Sequence, residues 1–395
     1  MKFIKKKISE LSIELIDGDR GKNYPKKNEF LNKGNCVFLN AKNVTSNDFC
    51  FEEINFITKE KDKLLNNGKL KRKDIVLTTR GTVGNVAYYS EKIPFECMRI
   101  NSGMIIIRCQ NSINEKYIYW YMRTKQFKNQ IKELQTGSAQ PQLPLSIIKN
   151  MVINICNMKN QNKIVYILDK IQEKINLNTH INNNLYEMCN KIYHNYLKQY
   201  SNLIKYKKIR GISKKIVTGK TPLTRNEMFW NGKIPFITIP DMHNQVFITS
   251  TERNITECGA KAIIPKNSIL VSCIATVGLV SISTEKSQTN QQINSIILEN
   301  DYDLYFLFEF LSEQRNLLKN IAGGSTTYNI NKHTFENIEV PCLSKEKLIE
   351  FNNIVADMFE KIKLNQNENK TLEQLRDILL PKLMNGEIDL DKIEI

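Results

Sequence analysis

Lys174-Ile-Asn-Leu-Asn178 lies in a long stretch of helical periodicity and returns near the end of the chain as Lys361-Ile-Lys-Leu-Asn365. Four other pieces also occur twice, in the same order: Gly34–Leu39 with Gly232–Ile237, Thr82–Gly84 with Thr276–Gly278, Ile100–Ser102 with Ile293–Ser295, and Gly137-Ser138 with Gly324-Ser325. A repeat that spans about half of the 395 residues indicates a duplicated module, because a solenoid would repeat every 20–50 residues or so. Two similar modules suggest a target that also has two similar parts.

Both long periodic stretches carry apolar residues at three- and four-residue steps. The first stripe comprises Ile164, Leu168, Ile171, Ile175, Leu185, Met188 and Ile192, and the second Phe351, Ile354, Met358, Ile362, Leu372, Leu375, Leu379 and Leu383. A lone helix would expose such a stripe to water, so each helix needs a partner. We predict that the two helices pair as an antiparallel coiled coil of roughly 50 Å, from about 35 residues at about 1.5 Å each.

The segments before each helix are predicted to be globular and rich in strands. In the first repeat, short apolar runs between turn residues predict strands at Cys36–Leu39, Asp74–Thr78, Asn85–Tyr89, Met104–Ile107 and Met151–Ile155. Helical spacing over Tyr117–Leu134 predicts one helix whose aromatic residues belong to the core. The predicted fold class is therefore α+β and pseudo-two-fold symmetric, with globular domains at 1–156 and 201–343 and helical segments at 157–200 and 344–395.

Composition points to a polyanionic partner. Lys and Arg number 57 against 41 Asp and Glu, which gives a net charge of +16 and makes nucleic acid the first candidate. An A+T-rich genome, which enriches Lys, Asn and Ile, is an equally good explanation of the charge alone. The nine cysteines form no C-x-x-C pair, which fits reduced thiols in a cytoplasmic protein. Neither a signal peptide nor a run of about 18 apolar residues is present, so no membrane association is predicted.

Catalytic signatures are missing from the sequence. There is neither a G-x-x-x-x-G-K-[ST] phosphate loop nor an Asn/Asp-Pro-Pro-aromatic tetrapeptide of amino-methyltransferases. Pro240-Asp241 could begin a nuclease carboxylate set, but repeat one has Lys42-Asn43 there and the usual acidic and lysine residues do not follow. His180, His194, His243 and His333 lack metal-ligand spacing, so we predict no metal site and no catalysis.

Polar loops at equivalent positions of the repeats are the candidate binding elements. One pair is Thr78–Thr82 with Ser272–Thr276, and the other is Gly137–Gln142 with Gly323–Asn329. Amide, hydroxyl and guanidinium groups read base edges, although turn formation is an alternative role for any single one of these residues. The candidates for phosphates or base edges are Lys22, Lys42, Arg80 and Lys220; those for base readout are Thr79, Thr82, Gln140, Gln142, His243, Thr276, Thr326, Tyr328 and Asn329.

Several of these stretches resemble the specificity subunit of type I restriction–modification systems. The similar pieces are Thr218-Gly-Lys-Thr-Pro222 before Phe229–Phe236, Gly324–Ile330 with Asn337–Pro341, Gly137–Pro144, and the closing Leu379-Leu-Pro-Lys-Leu-Met-Asn-Gly-Glu-Ile388. Together they cover both repeats, from about residue 8 to residue 390. Repeat one departs from the family pattern at Gly18-Asp-Arg-Gly-Lys-Asn-Tyr-Pro25, where a Thr-Gly-Lys-Thr-Pro type is usual.

The resemblance implies a non-catalytic reader of double-stranded DNA. Each globular part would be a target-recognition domain for one half of a bipartite site, and the helices would set the spacing. It also implies two adenine-N6 methyltransferase subunits that bind S-adenosylmethionine, and, in a restriction complex, an ATP- and magnesium-dependent motor–nuclease subunit. No cofactor is expected in this chain. Two rival hypotheses are a stand-alone nuclease with fused recognition modules and a coiled-coil scaffold that does not contact DNA.

Overall fold

The computed structural model describes residues 2–110, 112–137, 141–322 and 328–390. The chain forms two compact units. Unit 1 combines Met1–Gln172 with Gln374–Ile395, and unit 2 is Glu173–Glu373. Each unit therefore holds a globular part together with a section of both long helices. The four segments proposed from the sequence remain predictions, because the compact units divide the chain inside the helices.

The first half of the chain contains nine strands and five α-helices among its described residues. The strands are β1 (Ile4–Lys7), β2 (Ile13–Asp17), β3 (Cys36–Leu39), β4 (Asn55–Ile57), β5 (Ile75–Thr78), β6 (Val86–Tyr88), β7 (Met98–Ile100), β8 (Met104–Cys109) and β9 (Val152–Ile155). The helices are α1 (Lys59–Leu64), α2 (Glu115–Met122), α3 (Lys125–Leu134), α4 (Leu145–Asn150) and α5 (Met158–Gln199).

The second half repeats this series with small additions. Its strands are β10 (Lys205–Lys208), β11 (Ser213–Thr218), β12 (Trp230–Ile237), β13 (Phe247–Ile248), β14 (Arg253–Ile255), β15 (Ile263–Ile264), β16 (Ile269–Ser272), β17 (Val280–Ser283), β18 (Ser287–Thr289), β19 (Ile293–Leu298) and β20 (Glu339–Cys342). Its helices are α6 (Ile239–Met242), α7 (Leu304–Glu313), α8 (Arg315–Ile321), α9 (Lys332–Glu336) and α10 (Lys345–Asn385).

Strand order shows the duplication directly. Unit 1 has an antiparallel sheet β2-β8-β5-β6, a mixed sheet β4-β3-β7 and the pair β1-β9. Unit 2 has the same orders with one strand added to each larger sheet: β11-β19-β16-β17-β13, β14-β12-β18-β15 and β10-β20. The central strands β5 and β16 are buried along their whole length, as continuous apolar runs covered on both faces should be.

The long helices pack against each other within each unit. In unit 1, Ile164 and Leu168 of α5 share a core with Leu380 and Leu383 of α10. In unit 2, the Sγ atom of Cys189 lies 3.8 Å from the Sδ atom of Met358. Asn178 contacts Asn369 in the same unit, so the contacts move down α10 as they move up α5, and the pairing is antiparallel. This confirms the α+β class and the predicted helix pair. In the described parts of the chain, no helix is long and apolar enough to cross a membrane.

Two details of the prediction are wrong. The helix predicted over Tyr117–Leu134 is two helices, α2 and α3, because the Thr124 side chain accepts a hydrogen bond from Phe127 N and starts a new helix. Three residues of the predicted stripes, Met188, Ile354 and Leu375, are exposed.

In unit 2, the buried face of α5 is turned toward the globular part of the unit. Next to the exposed Met188, α5 buries Cys189 and Tyr193 in the core of unit 2. The Tyr193 ring lies 5.1 Å, between centroids, from that of Phe306 on α7. A helix that must cover both a partner helix and a sheet domain buries a wider and differently placed face than a coiled-coil seam.

Candidate nucleic-acid interface

Unit 1 brings its two predicted polar loops together through backbone hydrogen bonds. Arg80 and Gln142 form an antiparallel bridge, and Leu143 N donates to the carbonyl oxygen of Thr79 at 3.0 Å. Gly81 forms the turn next to the bridge with a φ of +73°. L-residues rarely adopt this conformation, which explains a glycine at the tip. The two loops therefore form one composite surface, although they are far apart in the sequence.

Unit 2 builds the same composite surface with other residues. Ile274 and Asn329 form the equivalent bridge, and Ala275 N donates to the carbonyl oxygen of Tyr328 at 3.1 Å. Ala275 takes the place of Gly81 and keeps a positive φ of 63°. The backbone geometry at the bridge is thus preserved, while its two side chains change from Arg and Gln to Ile and Asn.

A groove of about 340 Å³ lies beside the bridge in unit 1. It is lined by Arg80, Gln142, Thr79 and Ser146, together with Arg20 and Asp17. The Arg20 guanidinium lies 2.9 Å from the Asp17 carboxylate, and this ion pair forms part of one wall of the groove. The groove therefore offers cationic, amide and hydroxyl groups within one small concave site.

The candidate residues on these loops differ in their exposure. Thr82, Tyr328 and Asn329 are exposed, and Arg80, Gln142 and Thr276 are partly exposed. Thr79 is only 6% exposed, and both its N–H and its carbonyl oxygen bond to other backbone groups. Its backbone therefore holds the loops together, while Thr79 is also one of the residues that line the groove. Gln140 and Thr326 lie outside the described residues.

The loops that carry Lys22 and Lys220 begin with equivalent glycines. A Cβ on Gly18 would lie 2.1 Å from the carbonyl oxygen of Asn101, and one on Gly219 would lie 2.0 Å from that of Asn290. Only glycine fits so close to another backbone. Both loops therefore start at the same place in the fold, although their sequences differ, and both lysines are exposed.

The loop 18–25 is fixed in place by a buried polar cluster. Asp19 accepts hydrogen bonds from the backbone N–H groups of Asn66 and Asn67, at 2.6 and 3.3 Å. The Arg99 guanidinium in turn donates to the carbonyl oxygen of Asn67 at 2.7 Å. A charged network thus connects a buried arginine to the loop that displays Lys22.

Lys42 and His243 occupy similar turns, which follow the equivalent strands β3 and β12. Lys42 follows β3 in a turn capped by Asn40, and His243 follows α6, whose cap is Thr238. The Lys42 ammonium is 3.5 Å from the Glu53 carboxylate, which offsets part of its charge, and both side chains are about 80% exposed. His243 lines a shallow polar groove of about 330 Å³. Neither residue is part of the loop bridges described above.

Sequence reasoning missed two arginines. Arg20 lies in the 18–25 loop that was singled out, so its position in that loop was the available signal. Arg315, at the start of α8, packs against the repeated Thr276–Gly278 turn: a Cβ on Gly278 would be 2.8 Å from the Arg315 Cγ. With Lys370 it also lines a polar cavity of about 800 Å³ within unit 2. No pattern in the sequence marked Arg315.

The family model described as "Type I restriction modification DNA specificity domain" matches residues 5–187 and 203–375, which is most of the chain. The chain belongs to this family. A specificity subunit of the type I restriction enzyme HindI of Haemophilus influenzae is 30% identical over 94% of this chain and 98% of its own length. The MjaIX specificity subunit of Methanocaldococcus jannaschii is 33% identical over 47% of this chain and 44% of its own length.

The fold agrees with that of a solved specificity subunit. The S subunit of a type I restriction–modification system from M. genitalium superposes with a TM-score of 0.59, at 15% identity, over 97% of this chain and 96% of that one. The chain is thus a type I specificity subunit with two recognition domains, one for each matched segment. The description of the family model names DNA specificity and no catalytic step.

Proposed function

We propose that this specificity subunit reads a bipartite site on double-stranded DNA, with one half-site recognised by each unit. The observation that carries the proposal is the loop bridge: its backbone is the same in both units, but Arg80 and Gln142 are replaced by Ile274 and Asn329. Two different half-sites of one target require the same backbone geometry with different side chains. The net charge of +16 favours DNA as the polyanion.

The side chains of each surface suit different parts of DNA. Arginine pairs bidentately with guanine, and glutamine or asparagine pairs with adenine, so Arg80, Gln142 and Asn329 are the proposed base readers. Lys22, Lys42 and Lys220 are exposed and would bind phosphates, which positions the protein without reading sequence. Thr82, Thr276 and Tyr328 on the bridged loops are supplementary candidates, as is His243 in its separate groove.

Exposed apolar side chains on the helices suit partner subunits. Leu177 and Leu364 are equivalent in the two repeats and are each 54% exposed, and Met188 and Leu375 form a second equivalent and exposed pair. Large apolar side chains at matched, exposed positions favour a duplicated docking surface. We assign it to two methyltransferase subunits of the type I system, with S-adenosylmethionine on those subunits and ATP on an associated motor–nuclease.

The proposal can be tested on a complex of this chain with its methyltransferase subunits. Mapping of N6-methyladenine after exposure to random DNA should return two short half-sites separated by a fixed gap. Exchange of residues 1–156 for those of a relative should change one half-site only. A single undivided site, no sequence preference, or magnesium-dependent cutting by this chain alone would contradict the proposal.

A further inference from the structure

Strand register in unit 1 places two cysteines side by side. β3 and β7 are parallel, with Val37 opposite Met98, and Val37 N donates to the carbonyl oxygen of Cys97 at 2.9 Å. Cys36 and Cys97 are therefore neighbours on adjacent strands. Adjacent strands lie about 4.8 Å apart, which falls within the Cα separation of about 4.4–6.8 Å that disulfides span.

The two sulfur atoms also lie close together beside a carboxylate. The Sγ atoms of Cys36 and Cys97 and a carboxylate oxygen of Asp62 are all within 4.8 Å of one another. Cys36 is fully buried, whereas Cys97 is partly exposed next to Lys69, whose side chain is half exposed. Cys97 is thus the cysteine that a small solute can reach from water, and Cys36 is buried next to it.

Charges around the pair favour one thiolate. Asp62 Oδ1 accepts from the Arg99 guanidinium at 2.6 Å and Oδ2 from the Lys69 ammonium at 2.5 Å, so two cations face one carboxylate. The adjacent Cys36 thiol, assisted by Lys69, holds the pKa of Cys97 below that of an ordinary cysteine, against the opposing effects of burial and Asp62. The adjacent Cys97 sulfur and burial raise the pKa of Cys36. Cys97 is therefore the sulfur of the pair that loses its proton more readily.

A metal ion suits this cluster poorly. Both carboxylate oxygens of Asp62 are already bound by cations, so a divalent ion would have to displace Lys69 or Arg99. The fold itself does not need the thiols either. The matching strands of unit 2 pair Phe236 with Gln288, which puts Ile234 and Lys286 at the positions of Cys36 and Cys97.

We propose that Cys36 and Cys97 are a reversible oxidation site, at which a hydroperoxide converts the two thiols into a disulfide. The Cys97 thiolate attacks the peroxide, forming an S–O bond and breaking the O–O bond, and an alcohol or water leaves after taking up a proton. The Cys36 sulfur then attacks the sulfenic acid. An S–S bond forms, the S–O bond breaks, and hydroxide leaves as water with the Cys36 proton. The peroxide gains the two electrons that the sulfurs lose.

The test treats the purified full-length chain with one equivalent of hydrogen peroxide, alkylates the remaining thiols and maps the cysteines by mass spectrometry. We expect a Cys36–Cys97 disulfide as the main product, reversed by dithiothreitol, while the exposed Cys258 stays reduced. In the unoxidised chain, iodoacetamide should alkylate Cys97 with a pH midpoint below the value of about 8.5 that is usual for a free thiol. Preferential oxidation of Cys258, or no link between Cys36 and Cys97, would overturn the proposal.

Variants separate the two steps. Cys36→Ser should stop the reaction at a Cys97 sulfenic acid that dimedone traps, and Lys69→Met should shift the alkylation midpoint of Cys97 upward. No trapped sulfenic acid in Cys36→Ser, or an unchanged alkylation midpoint of Cys97 in Lys69→Met, would contradict the assigned roles. Zinc at micromolar concentration should leave the alkylation of both cysteines unaltered. Protection of both by zinc would instead show a metal site and overturn the oxidation proposal.

Discussion

Asn178 on α5 donates a hydrogen bond to the side-chain oxygen of Asn369 on α10 at 2.9 Å, and its own side-chain oxygen is buried without a hydrogen-bond partner. The equivalent residues make the reciprocal contact, since Asn365 donates to the side-chain oxygen of Asn182 at 2.8 Å. Asn178 and Asn365 are equivalent in the two repeats, and so are Asn182 and Asn369. The same contact is therefore made twice, once from each helix. The repeat of Lys174–Asn178 as Lys361–Asn365 therefore also specifies how the two helices pair.

Asn365→Ala should destabilise unit 2. It leaves the Asn182 amide oxygen without its donor inside the helix interface, and loss of one partner of a buried hydrogen bond costs about 1–3 kcal/mol. Urea denaturation followed by circular dichroism measures the change. Asn184→Ala, an exposed site on α5, is the matched control and should leave the free energy of unfolding within about 0.5 kcal/mol. Equal effects of the two substitutions would contradict a role of Asn365 in the pairing.

Glu309 should make the stability of unit 2 depend on pH. Burial, opposed by a hydrogen bond from Asn190 and assisted by Glu313, raises the pKa of Glu309 from 4.5 to about 7. Between these values the folded state holds the proton that the unfolded state has lost. The contribution of Glu309 to the free energy of unfolding is therefore fully present below about pH 4.5 and falls as pH rises toward 7. Above that, the free energy of unfolding is lower by about 3 kcal/mol.

Glu309→Gln should remove this pH dependence. The variant should be more stable than the parent at pH 8 and similar to it at pH 5, because a neutral amide carries no charge to bury. Thermal unfolding between pH 5 and 8 measures the difference. Glu187→Gln, at an exposed position of α5, should have no such effect. A stability profile of the Glu309 variant parallel to that of the parent would contradict the assignment.

Arg99→Gln should destabilise unit 1 and loosen the 18–25 loop. The guanidinium binds Asp62 and the carbonyl oxygens of Asp62, Leu65 and Asn67, and its loss leaves a buried carboxylate short of a cation. Removal of one partner of a buried pair costs about 3–5 kcal/mol. Amide exchange at Asn66 and Asn67 should speed up with the drop in stability. Arg210→Gln, exposed in unit 2, is the control, and equal effects would contradict the role of Arg99.

Local signals in the sequence predicted local structure well. The strand Cys36–Leu39 has the predicted bounds, and the aromatic residues of Tyr117–Leu134 are buried as expected. The duplication also identified the two loops that each unit brings together. Such features depend on neighbours in the chain, on periodicity and on turn residues, all of which a sequence displays.

Features that depend on tertiary contacts were not predictable. Asp62 and Arg99 form a buried ion pair that the half-exposed Lys69 joins, but nothing in the sequence spacing marks Asp62 and Arg99 as buried. The equivalence of Gly18 and Gly219 was hidden because the loops after them differ in sequence. Their shared role follows from a close backbone approach that only the folded chain shows.

Arg80→Ala and Lys22→Ala should weaken DNA binding by the methyltransferase complex in different ways. If Arg80 reads a base, its loss should cost about 1–3 kcal/mol and relax the preference at one position of one half-site. Loss of Lys22 should weaken binding to all sequences alike and reduce the slope of log K against log salt by about 1. Fluorescence anisotropy with permuted sites measures both. Lys198→Ala, on the last turn of α5, is the control, and a uniform loss in Arg80→Ala would contradict base readout.

Leu177→Asp and Leu364→Asp should each impair the binding of one methyltransferase subunit. The two leucines are equally exposed at equivalent positions, and a charge in the centre of an apolar interface is left without a partner when water is excluded. Each single variant should give complexes with one methyltransferase subunit, and the double variant none, as measured by native mass spectrometry or light scattering. Leu203→Asp, at a similarly exposed site outside the two long helices, should assemble normally. Normal assembly of the double variant would place the docking surface elsewhere on the chain.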